Sequence, residues 1–191
     1  SGGKECYIRK QWYGGTDDFT FSAYITLSAE AATGWHHTVL GRSINGDGSD
    51  GFQLNIKVQD SPDSPLLYLG IWGFVGWSNL EASSPLPLGK RLHICLVRES
   101  KTFKLYVNGT LSGTRTTNNV WNDAPGSFNP PLPLTIGGVA STSTGRAFTT
   151  GVFQGKIDGA KMYKGALSVG DIAVDIYLSS THTHLVSTQA G

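Results

Sequence analysis

Residues 18–28, DFTFSAYITLS, alternate without a break: Phe19, Phe21, Ala23, Ile25 and Leu27 share one phase, and Thr20, Ser22, Thr26 and Ser28 the other. A period of two with one apolar face is the pattern of a half-buried β-strand. FQLNIKVQ repeats it with Phe52, Leu54, Ile56 and Val58, and RLHICLVRE sets Leu92, Ile94 and Leu96 against His93, Cys95 and Val97. In FKLYVNGTLSG the alternation of residues 103–107 runs into Asn108-Gly109 and resumes at Thr110. Asn and Gly tolerate the positive φ that a type I′ hairpin turn requires, so a two-residue turn is predicted there. Shorter strands are predicted at 35–43, 66–75, 110–117 and 132–137. NGDGSDG, SPDSP, SSPLPLG and NDAPGSFNPPLP punctuate the chain, close to the spacing of about 8–12 residues expected for a sandwich or barrel. The pattern predicts an all-β domain of two packed antiparallel sheets.

One element breaks the simple alternation. In VFQGKIDGAKMY, Phe153 and Ile157 share one phase while Ala160 and Met162 share the other. Asp158-Gly159 is the place for a β-bulge that absorbs the extra residue. Ser168, with Asp171 three residues on, predicts a cap on a single helical turn. LLYLGIWGFVGW reads as buried strand, and its 12 residues fall short of the roughly 18 that a membrane helix needs. SSTHTHLVSTQAG reads as a polar tail. The expected organisation is therefore an expression-vector remnant at 1–3, a single domain at 4–180 and a tail at 181–191, excised from something longer. A net charge of +1 gives no electrostatic basis for binding nucleic acid or an anionic membrane. Two cysteines, Cys6 and Cys95, make no disulfide framework.

HICLVRESKTFKLYVNGTLSGT resembles the laminin G type of concanavalin A-like module: a buried strand, a short charged turn, then a strand ending in Tyr-Val-Asn-Gly. FQGKIDGAKMYKGALSVGDI is similar to that family's closing segment. The resemblance spans about residues 18–178 and extends to the lectin-like domain attached to some sialidases and trans-sialidases. It implies a jelly-roll sandwich, a non-catalytic recognition role and an extracellular or cell-surface setting. It leaves the ligand open between a glycan or glycoprotein and a protein partner, because one fold hosts many functions.

Catalytic patterns are missing from the sequence. A retaining glycosidase needs two carboxyls about 5–5.5 Å apart, and on one strand face that requires residues two apart. No two carboxylates in the chain have that separation. Gly-x-Ser-x-Gly is absent, since GRSIN ends in Asn45 and GWSNL in Leu80. His93 and Cys95 share a strand face, but a reactive thiolate needs an open, polar setting. The oxygen donors of Asn45, Asp47 and Asp50 in a glycine-rich loop suit Ca²⁺, although the position-six Asp50 and position-twelve Ile56 rule out an EF-hand. Asp60 and Asp63 form a weaker set, and His36-His37 and His182-x-His184 lack a third metal ligand.

The five tryptophans, Trp12, Trp35, Trp72, Trp77 and Trp121, offer rings on which the apolar faces of sugars stack. Gly70, Gly73 and Gly76 flank Trp72, Phe74 and Trp77, which either opens a groove or lets two sheets approach. Ser78 and Asn79 turn Trp77 towards the surface. The candidate ligand residues are Trp77, Asn79, Trp72, Trp35, His37 and Arg42.

Overall fold

The computed structural model describes residues 18–29, 36–42, 51–58, 64–73, 76–118, 134–138 and 152–187, with backbone only at 72, 73, 76, 77 and 180–187. Among the described residues, ten strands form two antiparallel sheets of five. Sheet A has the order β10 (Gly155–Lys164), β1 (Phe19–Leu27), β6 (Arg91–Glu99), β7 (Thr102–Val107), β8 (Thr110–Thr116). Sheet B has the order β5 (Gly76–Glu81), β4 (Leu66–Gly73), β3 (Gly51–Lys57), β2 (His36–Arg42), β9 (Thr135–Ile136). This is the expected jelly-roll sandwich.

The apolar phases meet between the sheets. Phe19, Phe21, Ile25, Ile94 and Leu96 of sheet A bury against Phe52, Leu54, Ile56, Leu67 and Leu69 of sheet B in one core cluster. Burial of each such side chain is worth about 1.5–3 kcal/mol, which makes this core the main stabilising term. Gly113 closes the sandwich where β8 passes β5: a Cβ there would sit 2.7 Å from the Glu81 carbonyl oxygen.

The local turns form as their chemistry requires. Asn108 and Gly109 have φ of 50° and 77°, and Val107 pairs with Thr110 across them. In β10, Ser22 pairs with Lys161 and Tyr24 with Asp158, so Gly159 and Ala160 together oppose Ala23. Gly159, at φ 59°, supplies the left-handed residue of that bulge.

Two elements differ from the sequence reading. The run from Leu66 to Trp77 is a hairpin, β4 and β5, in which Trp72 pairs with Trp77 and Gly73 with Gly76. Two apolar residues, Phe74 and Val75, join the strands, so the usual polar turn signal is missing and only the flanking glycines mark it. The capped turn at Ser168 also continues, as α1 (Val169–Ser187), through residues expected to be a tail. Its cap is reciprocal: the Asp171 amide donates to Ser168 Oγ (3.2 Å), and the Ser168 amide donates to Asp171 Oδ2 (3.0 Å). Ile172 of α1 packs with Cys95, Val97 and Tyr106, which places the helix on the outer face of sheet A.

Candidate functional site

Cross-strand register arranges the outward-phase residues of sheet B into rows. At one end Gly51 pairs with Trp72, and Trp72 with Trp77. The next row runs Thr135–Gly41–Gln53–Gly70–Asn79. Beyond it lie Thr38–Asn55–Tyr68–Glu81 and then His36–Lys57–Leu66. Gly41 and Gly70 flank Gln53, so the carboxamides of Gln53 and Asn79 stand in a row with no Cβ between them. Asn55 Nδ2 donates to Gln53 Oε1 at 3.4 Å. Lys57 and Glu81 form an ion pair at 3.3 Å, and the rings of His36 and Tyr68 lie 5.5 Å apart. His36 Nδ1, Thr38 Oγ1 and Asn55 Oδ1 are buried without a hydrogen-bond partner among the described residues. Unsatisfied buried polar atoms cost about 1–3 kcal/mol each, and Thr38, Asn55 and Tyr68 are covered, so within the rows of Gln53 and Asn55 it is Gln53 and Asn79 that stand half-buried.

The predicted ligand residues divide by strand phase. Asn79 is half-buried on this outer face, and Trp72 and Trp77 stand in phase with it at the adjoining row. His37 and Arg42 have the opposite phase, opposite the core residues Ile56 and Phe52. Both are buried, and His37 Nδ1 lies 3.3 Å from the Val152 carbonyl oxygen. The structure therefore does not bring them together with Asn79. Ser78, expected beside an exposed Trp77, is buried opposite Ile71. Trp35 and the calcium candidates Asn45, Asp47 and Asp50 lie outside the described residues, as do Cys6, Trp12 and Trp121. Among the described residues no group of three or more His, Cys, Asp or Glu is placed to hold a metal ion. His36 and His37 point to opposite faces and cannot share one ion.

A second polar constellation, which sequence reasoning missed, lies under α1. Asp175 is buried at 6% exposure. Its Oδ2 accepts from Ser22 Oγ at 2.7 Å and lies 3.3 Å from His93 Nε2. Its Oδ1 accepts from Lys161 Nζ at 2.5 Å and from the Tyr163 hydroxyl at 2.7 Å. Burial alone would raise the Asp175 pKa, but the hydrogen bonds from Lys161, Tyr163 and Ser22 outweigh it and hold the carboxyl at about 2. Burial lowers His93 despite its bond to Asp175. Burial and then the Asp175 carboxylate push Tyr163 up to about 12. The same two causes push Cys95 up to about 12, so it is a thiol and no nucleophile.

Each of the six carboxylates among the described residues has a structural partner. Glu81 pairs with Lys57, Glu99 with Lys104, and Asp158 with Arg91 and Lys156. Asp18 accepts from the Ser100 amide, Asp171 caps α1, and Asp175 holds the cluster beneath it.

Similar folds occur in known structures. The Ruminococcus gnavus IT-sialidase CBM40 bound to alpha2,3 sialyllactose shares 15% identity over 84% of this chain and 82% of its own, with a TM-score of 0.64. Domain 4 of AbnA, a GH43 extracellular arabinanase from Geobacillus stearothermophilus in complex with arabinotriose, shares 17% over 91% and 82%, with a TM-score of 0.59. The leech intramolecular trans-sialidase shares 18% over 84% of this chain and 23% of its own, with a TM-score of 0.61. No curated protein matches the chain by sequence. The family described as the concanavalin A-like lectin/glucanases superfamily, of the laminin G type, matches residues 6–173. The chain belongs to that superfamily.

Proposed function

We propose that this chain is a non-catalytic carbohydrate-recognition module of a larger, extracellular or cell-surface protein, and that its glycan lies across the outer rows of sheet B. The observation that carries this reading is the row Gln53–Gly70–Asn79 beside the Trp72–Trp77 pair. Small-ligand sites join an apolar surface to a few fixed polar groups, and carboxamides both donate to and accept from sugar hydroxyls. Helix α1 lies on the outer face of sheet A, and on sheet B the half-buried carboxamides of Gln53 and Asn79 are the polar groups offered to a ligand. Sialyllactose and arabinotriose on two similar domains support a glycan here. The structural engagement of the described carboxylates supports the absence of catalysis.

A glycan array, run with and without Ca²⁺, tests the reading and the part of Asn45, Asp47 and Asp50 in it. Trp77→Ala and Asn79→Ala are expected to abolish binding while leaving the melting temperature within a few degrees of the parent. A loss of about 3–5 kcal/mol on Trp77→Ala, as for a core aromatic, would remove Trp77 from the site. One observation favours a protein partner instead: Val174, Tyr177 and Leu178 of α1 are 56%, 66% and 48% exposed. A blank array with folded protein would leave that second reading standing.

A further inference from the structure

The cluster under α1 is asymmetric. Ser22 on β1, His93 on β6, and Lys161 and Tyr163 on β10 all belong to sheet A; only the carboxylate comes from the helix. Two groups address each oxygen of Asp175, which matches the roughly four lone-pair sites of an ionised carboxylate. Lys161 supplies the compensating charge at 2.5 Å. With Nε2 donating to Asp175, His93 keeps Nδ1 as an acceptor, and that atom has no partner among the described residues. Sheet A thus presents a socket of donors fitted to one anionic group.

The side-chain contacts of α1 are described for residues 169–179. Ile172 and Ile176 pack on the sheet beside Ala166 and Leu167, while Val169 and Val174 are 58% and 56% exposed. Two more polar ties come from the sheet: the Tyr24 hydroxyl donates to the Ile176 carbonyl (3.0 Å), and Lys161 donates to Ser179 Oγ (2.7 Å).

We propose that the outer face of sheet A is a carboxylate-binding site, formed by Ser22, His93, Lys161 and Tyr163, which α1 occupies from within the chain through Asp175. The ligand class is a monocarboxylate, and an external one competes with Asp175 for the same four donors. This site is independent of the glycan face on sheet B.

The test empties the socket and refills it. Asp175→Ala removes a group the size of formate, and it is expected to lower the melting temperature by about 4–8 °C. Sodium formate should bind this variant saturably, observed by ¹³C-formate NMR, and restore most of the lost melting temperature; sodium chloride at equal ionic strength should not. Asp175→Asn fills the space with a neutral carboxamide, so formate should neither bind nor rescue it. Hydrogen exchange of the α1 amides in Asp175→Asn should quicken while β1 and β6 stay protected. If Asp175→Ala does not fold alone, the refolded yield in formate against chloride is the same test. The proposal is overturned if formate acts no better than chloride on Asp175→Ala, or equally on Asp175→Asn, or if α1 exchange in Asp175→Asn is unchanged.

Discussion

Stability should form a plateau in pH centred on the cluster beneath α1, with limbs of known sign. Asp175 has a folded pKa of about 2 against an ordinary 3.8. A carboxyl depressed on folding contributes fully above its unfolded pKa, and its contribution is lost as pH falls through the folded one. The difference corresponds to a ceiling of about 2 kcal/mol. Solvent screening at the Lys161 side, which is 38% exposed, brings the expected loss to about 1–2 kcal/mol between pH 4 and pH 2. His93 acts earlier. Burial lowers its pKa below 6.5, so the unfolded chain takes up the proton first and stability begins to fall as pH drops below that value. On the alkaline side the sign reverses. Cys95 and Tyr163 are raised from 9.0 and 10.0 to about 12, so their contribution is complete below pH 9 and declines from pH 9 to 12. Urea midpoints measured from pH 2 to 11 would trace both limbs. Asp175→Asn should shrink the step between pH 4 and pH 2 and keep the onset near 6.5; what remains of the step comes from Asp158 and Asp171, whose carboxyls are also lowered. A parent protein that gains stability between pH 7 and 5, or that keeps the same acid step as Asp175→Asn, would refute the reasoning.

Gly109→Val is expected to cost about 1–3 kcal/mol in chemical denaturation, because a β-branched residue is strained at positive φ; the backbone there is at 77°, and the new Cβ would also stand 3.2 Å from Ile176 Cδ1. An unchanged denaturation midpoint would contradict the turn geometry. Gly113→Ala should cost a similar amount, about 1–3 kcal/mol, by overpacking, since its Cβ would meet the Glu81 carbonyl oxygen at 2.7 Å where backbone has no room to yield. Melting temperatures equal to the parent would show that β5 and β8 separate freely. The protein should hydrolyse no β-glucan, galactan or sialoside at high concentration, and turnover that vanishes in a single Asp or Glu variant would overturn the non-catalytic reading.

Periodicity and turn chemistry are local, and they were readable along the chain. The alternation of Phe19 to Leu27 placed β1 and its buried face, Asn108-Gly109 gave the hairpin, and Ser168 with Asp171 gave the helix cap. The parity change around Gly159 located the bulge in β10, because a period of two allows an extra residue only one consequence. The β4–β5 hairpin escaped because Phe74 and Val75 continue the apolar run and only Gly73 and Gly76 hint at a reversal. The length of α1 escaped because SSTHTHLVS has no apolar stripe of its own. The face on which each candidate side chain stands was a tertiary matter. A second bulge, between Thr38 and Leu40 of β2, resets the phase, so that Gly41 faces outward while His37 and Arg42 lie opposite core residues. The row from Gln53 to Asn79 exists only because register aligns β3, β4 and β5. The donors around Asp175 come from positions 22, 93, 161 and 163, which no spacing relates. Sheet pairing and helix docking bring them within hydrogen-bond distance, and a buried carboxylate stays ionised only where such distant donors converge on it.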